Sequence, residues 1–319
     1  MIGKLAKTTS FLWVTLCQHV DRSGDAGKTW RQGAKGRVAV TAPTVRRRRL
    51  GSELRRLREA ARLTLEEVEA RSGLSTSKVS RIESAARGAK PADVEQLMDV
   101  YQVADSEVRA FLSALARDGS KRGWWQTYDL KPRYADLISM EHDAVTVSTF
   151  EPMLVPGLLQ TAAYARAVIG TLSTTATPQE VARLVEVRVA RQSVLTRPGP
   201  LALHAVIHEA ALTTRVPGAG VMRDQLQRLL DATAHPNLTV QVLPLDAELH
   251  PGAAGGFATL GFGQPALDVV LLEQLDRSLY IEEPHEVKRY ADAFETLAAL
   301  ALTPEQSRCF ITAKKDAVQ

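Results

Sequence analysis

The sequence feature that most constrains the fold is a pair of short helix patterns joined by a tight turn. Thr64 and Glu67 form a capping box, in which two side chains satisfy backbone N–H groups at a helix start. They predict a helix over 65–72 that ends at Gly73, because glycine readily takes the left-handed conformation found at helix C-termini. A second helix is predicted over 76–84. The chain must therefore hold two short helices at an angle around this turn.

Helical periodicity continues on both sides of this pair. Apolar residues recur at spacings of three and four, with charged residues on the opposite face. Pro91 suits the first turn of a further helix, and another helix is predicted from about Asp105. We predict an all-α domain of five helices over 45–118. Its inward residues are Leu50, Leu54, Leu57, Val94, Leu97, Met98, Tyr101, Val108, Phe111, Leu112 and Leu115.

Two short helices braced in this way suit recognition of the DNA major groove. The groove admits one helix, and each base pair there presents a distinct hydrogen-bond pattern. Apolar residues must fix the angle, and they are Leu65, Val68, Leu74, Val79 and Ile82. The outward polar residues of the second helix are Thr76, Ser77, Lys78, Ser80 and Arg81. A helical protein-interaction bundle is the alternative, which the polar face and the basic flanks disfavour.

The run LTLEEVEARSGLSTSKVSRIES, residues 63–84, resembles the Cro/CI-like helix-turn-helix family, also called the xenobiotic-response-element family. The resemblance extends from Arg46 to about Leu115. It implies sequence-specific binding to double-stranded DNA. The residues that it places against DNA are Thr76, Ser77 and Lys78 for bases, Ser80 and Arg81 for bases or phosphates, and Leu65 and Glu66 for phosphates.

Four consecutive arginines, Arg46, Arg47, Arg48 and Arg49, precede the apolar helix pattern. We predict that they form an arm that touches the DNA backbone or the minor groove. Such an arm would add several salt-sensitive contacts. A solvated charge run without a function is the alternative interpretation.

The same resemblance implies a buried salt bridge between Arg58 and Glu83, which would be structural. Two positions depart from the family pattern, which often has glycine where this chain has Arg62 and Ser84–Ala86. A left-handed conformation there would cost a non-glycine residue about 1 to 2 kcal/mol. We expect Gly88 to take over the second of these turns.

After a polar stretch over 119–133, interpreted as a linker, the pattern becomes mixed. Helical patterns cover 135–170, interrupted at Pro152 and Pro156, and continue over 177–195. Further on, strand-like runs bounded by Gly, Pro or Asp alternate with helices. The predicted strands are 201–207, 238–243, 257–262, 267–273 and 279–282, and the later helices are 219–234 and 285–301. We predict an α+β multidomain protein, with a mixed α/β domain over 134–312 and a tail over 313–319.

Several long motifs after residue 124 carry a second resemblance. They include FEPMLVPGLLQTAAYARAVI from Phe150 and YIEEPHEVKRYADAFETLAALAL from Tyr280. Over 124–310 the chain resembles the C-terminal domain of antitoxin-like transcriptional regulators common in actinobacteria. Such regulators are typically encoded beside a small partner protein. The resemblance therefore implies a small partner protein encoded nearby, and a domain for dimerisation, partner binding or ligand sensing.

The alternative function is an enzyme or toxin-like effector that the helix-turn-helix localises to DNA. The polar residues worth testing are His204, His208, Glu209, His250, Glu273, Glu282, Glu283 and His285. No serine–histidine–aspartate order, phosphate-binding loop or HExxH zinc motif accompanies them. We therefore expect no catalytic residue, no metal and no cofactor.

Charge and cysteine content narrow the partners and the compartment. The net charge of +4 hides an excess of Lys and Arg up to Arg122 and an excess of Asp and Glu after it. The distant cysteines Cys17 and Cys309 fit a reducing cytosol. The apolar run 11–16 is too short for a signal peptide or a membrane span. We expect a cytoplasmic protein that binds DNA as a homodimer, without membrane contact.

Residues 1–44 show no sustained periodicity and are rich in small and basic residues from Asp21 onward. We predict that this extension is disordered. Val38 is a candidate alternative start, which would exclude residues 1–37 from the native protein. Mass spectrometry of the native N-terminus tests this, since peptides from 1–37 would reject it.

Overall fold

The computed structural model describes residues 45–118, 123–173, 175–263, 265–274 and 278–318. The predictions for the extension over 1–44, including those for Cys17 and Val38, lie outside these ranges. The described residues belong to one compact unit. In its first part the helices are α1 (Val45–Ala60), α2 (Leu65–Ser72), α3 (Thr76–Glu83), α4 (Pro91–Val100) and α5 (Ser106–Asp118).

Local signals set the ends of the two central helices. Both hydrogen bonds of the capping box are present, from the Glu67 backbone N–H to Thr64 Oγ1 (3.2 Å) and from the Thr64 backbone N–H to Glu67 Oε2 (2.8 Å). Gly73 ends α2 at a φ of 70°, and Ser75 caps α3. The predicted bounds of α2 are confirmed. The five helices enclose one core, which includes Leu54, Val68, Val79, Leu97, Met98 and Leu112.

Two non-glycine residues of this part take the left-handed conformation at turns where the family pattern favours glycine. Arg62, between α1 and α2, has a φ of 57°, and Ala85, after α3, has a φ of 56°. The expectation that Gly88 takes over the second turn is wrong. Ala85 makes this turn itself, and its N–H donates to Ile82 O at 3.0 Å.

The second part is a mixed sheet flanked by helices. Within the described residues its strands are β1 (Thr146–Glu151), β2 (Ala202–His208), β3 (Leu238–Leu243), β4 (Phe257–Gly261), β5 (Val269–Glu273) and β6 (Ser278–Ile281). Its helices are α6 (Pro132–Asp143), α7 (Ala162–Leu172), α8 (Pro178–Ala190), α9 (Glu209–Thr213), α10 (Val221–Ala232), α11 (Pro284–Leu300) and α12 (Pro304–Ala317).

The sheet order is β3-β2-β1-β4-β5-β6. Strands β1, β2 and β3 are parallel, whereas β4, β5 and β6 are antiparallel to their neighbours. One face packs against α6, α7, α10 and α12, and the other is covered by α11. Together with the helical N-terminal part, this sheet confirms the predicted fold class.

The structure corrects three details of the C-terminal prediction. The segment predicted as helical over 135–170 contains β1, which lies in the middle of the sheet between β2 and β4. Helix α12 runs through Ala317, where a tail was predicted, because buried Ile311 anchors it to the core. The segment predicted as a linker begins to pack before α6, since Trp125 is buried against Ile138 and Val187.

Candidate nucleic-acid interface

The second helix of the pair, α3, separates its residues into two faces. Val79 and Ile82 are buried in the N-terminal core, and Ser77, Ser80 and Arg81 are exposed on the opposite side. Arg81 lies along the helix, where its Nε donates to Ser77 O at 3.0 Å. The outward face therefore offers short hydroxyl groups and one long cation, which are groups able to bind base edges and phosphates.

The two remaining residues predicted to face bases, Thr76 and Lys78, are partly buried and contact other residues of the N-terminal domain. Thr76 is partly buried at the start of α3, and its backbone N–H donates to Glu69 Oε2 at 3.0 Å. Lys78 turns toward α4, where its Nζ lies 2.7 Å from Asp93 Oδ1. The structure thus groups Ser77, Ser80 and Arg81 on the outer face and directs Lys78 to its own domain.

The two predicted phosphate contacts lie together at the start of α2. Leu65 packs partly against the N-terminal core, and Glu66 is exposed in the first turn. The first backbone N–H groups of a helix have no partner within that helix, and they can bind an anion. Because the Glu66 carboxylate would repel a phosphate, only the backbone of this turn suits the predicted contact.

The structure joins Arg58 of α1 to Glu83 at the end of α3. The Arg58 guanidinium donates to both carboxylate oxygens of Glu83, at 2.8 and 2.9 Å, and to Leu63 O at 2.9 Å. The hydrogen bond to Glu83 raises the pKa of Arg58. Both side chains are largely buried, so this bidentate pair fixes the end of α3 against α1.

A glycine lets α1 and α3 approach closely. A Cβ atom at Gly51 would lie only 2.5 Å from Glu83 O and 2.6 Å from Ile82 O. Backbone atoms cannot move aside as a flexible side chain can. Gly51 therefore sets the packing distance behind the outward face of α3.

The structure places the four arginines of the predicted arm in contact with other residues of the chain. Arg46, Arg48 and Arg49 lie in the first turns of α1 and contact the C-terminal domain. Arg46 binds Asp143 and Arg48 binds Asp136, both on α6. These acidic partners can pair with the arginines because α1 packs directly against α6.

Arg47 and Arg49 are also bound within the protein. Arg47 donates to Ala85 O within the N-terminal domain. Arg49 donates to Leu267 O of the C-terminal domain, and its guanidinium carbon lies 3.7 Å from the ring centroid of Phe262 and 5.5 Å from that of Phe111. Burial lowers the pKa of Arg49 to about 10. The arginine run thus joins the two domains.

Three candidate catalytic residues, His208, Glu209 and His250, lie near the carboxyl end of β2, and the first two have local structural roles. His208 caps α9, where its Nδ1 accepts the Ala210 N–H at 3.2 Å. Burial lowers the pKa of His208, and nearby His250 lowers it further. Glu209 is bound to Lys314 Nζ at 2.8 Å, and this hydrogen bond lowers the pKa of Glu209.

The other candidates are dispersed. His204 lies toward the other end of β2, on the sheet face covered by α11, where its ring packs against Phe294 and its Nε2 is 2.6 Å from Gln241 Oε1. Glu282 and Glu283 border an open cavity of about 420 Å³ between α1 and the C-terminal domain, and His285 is exposed. Glu273, at the end of β5, borders a different cavity. The structure does not bring these residues together.

The described ranges contain no group of three or more His, Cys, Asp or Glu side chains arranged to hold a metal ion. Of the helices that the structure describes, none is both long enough and apolar enough to cross a membrane.

Comparison with protein families agrees with the two-part architecture. Residues 134–313 match the family described as a domain of unknown function, DUF5753, which is more than half of the chain. The chain belongs to the DUF5753 family. Residues 49–111 of this DUF5753 protein match the family described as a helix-turn-helix domain, which supports a DNA-binding regulator in general. No curated protein and no solved structure matches the chain at a significant level.

Three acidic residues of this DUF5753 protein that bind the predicted DNA-contacting residues were not predicted from the sequence. Asp93, which holds Lys78, lies on α4 and carries no local signal for that contact. Asp136 and Asp143 lie on one face of α6, since their spacing is two helical turns. That spacing, set beside the arginine run on α1, is the one sequence signal that could have suggested the contact between the domains.

Proposed function

We propose that this chain is a sequence-specific transcriptional regulator of the Cro/CI-like, antitoxin-like kind. The observation that carries the proposal is the exposed polar face of α3, held from behind by the Arg58–Glu83 pair. A rigid helix that projects short polar groups and one arginine has the chemistry that base readout requires.

Within this proposal, the residues of α3 have different roles. Ser77, Ser80 and Arg81 read base edges or bind neighbouring phosphates, whereas Lys78 positions α3 through Asp93. The start of α2 binds a phosphate through its backbone N–H groups. The arginines of α1 make no arm on the DNA.

The rest of the proposal concerns the assembly. Two copies of the chain would bind two half-sites one helical turn apart. The C-terminal domain would serve dimerisation, a small partner protein encoded nearby or a ligand, without catalysis. The contacts of α1 with the C-terminal domain support a coupling between the two domains, through which a bound partner or ligand would act on the helix-turn-helix.

The test is selection of bound sequences from random double-stranded DNA at about 150 mM salt, where non-specific phosphate contacts are weakened. We expect the wild-type chain to enrich an inverted repeat with half-sites about 10 base pairs apart. Arg81→Ala should lose this enrichment, while Arg289→Ala, at an exposed arginine of α11, should keep it. Failure of the wild-type chain to enrich any motif, or an unchanged motif for Arg81→Ala, would reject the proposal.

A further inference from the structure

A small cavity of about 50 Å³ lies inside the C-terminal domain, on the sheet face covered by α6. Its wall contains charged side chains from four separate elements. They are Glu141 of α6, Glu151 of β1, Glu273 of β5 and Arg191, which follows α8. Nothing in the proposed DNA-binding surface uses these residues.

Two of these side chains are buried and incompletely hydrogen-bonded. Glu141 and Arg191 have side-chain exposures of only 8% and 6%, and Glu141 Oε1 lies 3.5 Å from Arg191 Nη1. Among the described residues, Glu141 Oε2 has no hydrogen-bond partner, nor do Nε and Nη1 of Arg191. Buried polar groups without partners are costly, so natural proteins rarely keep them without a use.

The cavity carries more negative than positive charge. Three carboxylates face Arg191, while Arg188 at the periphery is bound to Gln160 Oε1 at 2.9 Å. Burial raises the pKa of Glu141 to about 7. Burial, and then the charge of Glu273, raise the pKa of Glu151 to about 8. The two carboxyls therefore keep their protons up to about neutral pH, and a bound cation would allow them to ionise.

The cavity adjoins a second, more open one of about 190 Å³. The two share Glu151 and Glu273, and the apolar residues Met153 and Leu154 border the outer space. An occupant that spans both would meet carboxylates at its inner end and apolar surface at its outer end.

We propose that the paired cavities bind a small molecule with a protonated amine, whose ammonium group lies among Glu141, Glu151 and Glu273. An ammonium donates three hydrogen bonds, for which Glu141 Oε2 is an acceptor without a partner, and its charge favours the ionised form of the surrounding carboxyls. An anion would meet three carboxylates. A metal ion is disfavoured because the described residues offer no cluster with metal-ligand geometry.

Helix α6 links this site to the DNA-binding part. Glu141 lies two residues from Asp143, which binds Arg46, and on the same helix as Asp136, which binds Arg48. An ammonium that draws Glu141 inward would act on the helix that holds α1. This consequence for DNA rests on the proposed function, whereas amine binding itself does not.

The first experiment measures the thermal unfolding of the full chain with butylamine, putrescine or spermidine at up to about 10 mM. Sodium chloride at matched ionic strength and the neutral analogue butanol are the controls. We expect at least one amine to raise Tm by about 2 °C or more, with saturation. Butanol and salt should not reproduce this rise.

Variants decide whether the rise comes from the cavity. Glu151→Gln and Glu273→Gln should each abolish it, and Glu248→Gln, at an exposed carboxylate outside the cavity, should retain it. Glu273 is itself exposed at a strand end, so its variant is expected to fold if Glu151→Gln does not. The absence of any saturable rise, or an equal rise in Glu273→Gln, would overturn the proposal.

A separate DNA titration keeps this result distinct from the proposed function. With a saturating amine, affinity for the selected site should change by about 5-fold or more. If the amine raises Tm but leaves DNA affinity unchanged, the amine site is supported and its coupling to α1 is rejected. Loss of all DNA binding would bear on the proposed function alone.

Discussion

Single residues in this protein carry conformational and electrostatic strain that the fold tolerates. Arg62 is exposed and left-handed, with a φ of 57°. Because glycine has no Cβ to clash in this region, Arg62→Gly should raise the free energy of unfolding by about 1 kcal/mol. Arg71→Gly, in right-handed α2, should lower it by a similar amount. Urea unfolding measures both, and equal effects at the two positions would contradict this.

The pH dependence of stability is a second prediction at this scale. The pKa of Glu151 in the folded chain is about 8, above its ordinary value of 4.5. Between these values the folded chain holds a proton that the unfolded chain has lost, so stability falls as pH rises through this window. Glu141 acts in the same direction through its pKa of about 7. The negative charge of Glu273 also raises the pKa of both carboxyls, whereas the positive charges of Arg188 and Arg191 lower it.

The corresponding experiment compares the wild-type chain with Glu151→Gln in urea at about pH 6 and about pH 8. Between these conditions the wild-type chain should lose about 1 kcal/mol more than the variant, a modest figure because Glu151 is partly exposed. Parallel losses would show that Glu151 does not titrate in this range.

At the scale of elements, the crossing of α1 over α3 depends on Gly51. Ala at this position would place its Cβ against Glu83 O and Ile82 O, and the two helices would have to separate. We expect Gly51→Ala to lower the free energy of unfolding by about 1 to 3 kcal/mol. Ser52→Ala, at the exposed neighbouring position, is the control and should change it little. A neutral Gly51→Ala would refute this packing.

The elements that sequence predicts well are those with local signals. The capping box of α2, Gly73 and Pro91 each act within a few residues, so helix ends in the N-terminal domain could be predicted. Strand β1 could not, because its hydrogen-bond partners β2 and β4 lie far along the chain. Its buried positions also include the adjacent pair Thr149 and Phe150, which breaks the alternation expected of a strand.

Contacts between residues that are distant in sequence also limit the prediction of the sites. The outward face of α3 follows from helical spacing, but the role of the arginine run depends on Asp136, Asp143 and Leu267, which are distant in sequence. The carboxylate cavity joins α6, β1, β5 and the end of α8, whose proximity only the sheet order reveals.

Across the whole molecule, the exposed arginine of α3 and the arginines of α1 have different functions. Arg81 lies exposed on α3, whereas Arg48 is bound to Asp136 of the C-terminal domain. A phosphate-binding arginine contributes to the salt dependence of DNA affinity, and an arginine bound within the protein does not. The arm interpretation would assign both residues to DNA.

The most direct test of this central claim is a DNA titration of the wild-type chain, Arg81→Ala and Arg48→Ala at several salt concentrations. We use the selected site and an unrelated duplex of equal length. Arg81→Ala should lose about 1 to 3 kcal/mol of preference for the site, while Arg48→Ala should keep both the preference and the salt slope. Unchanged preference for Arg81→Ala, together with a smaller salt slope for Arg48→Ala, would contradict the account.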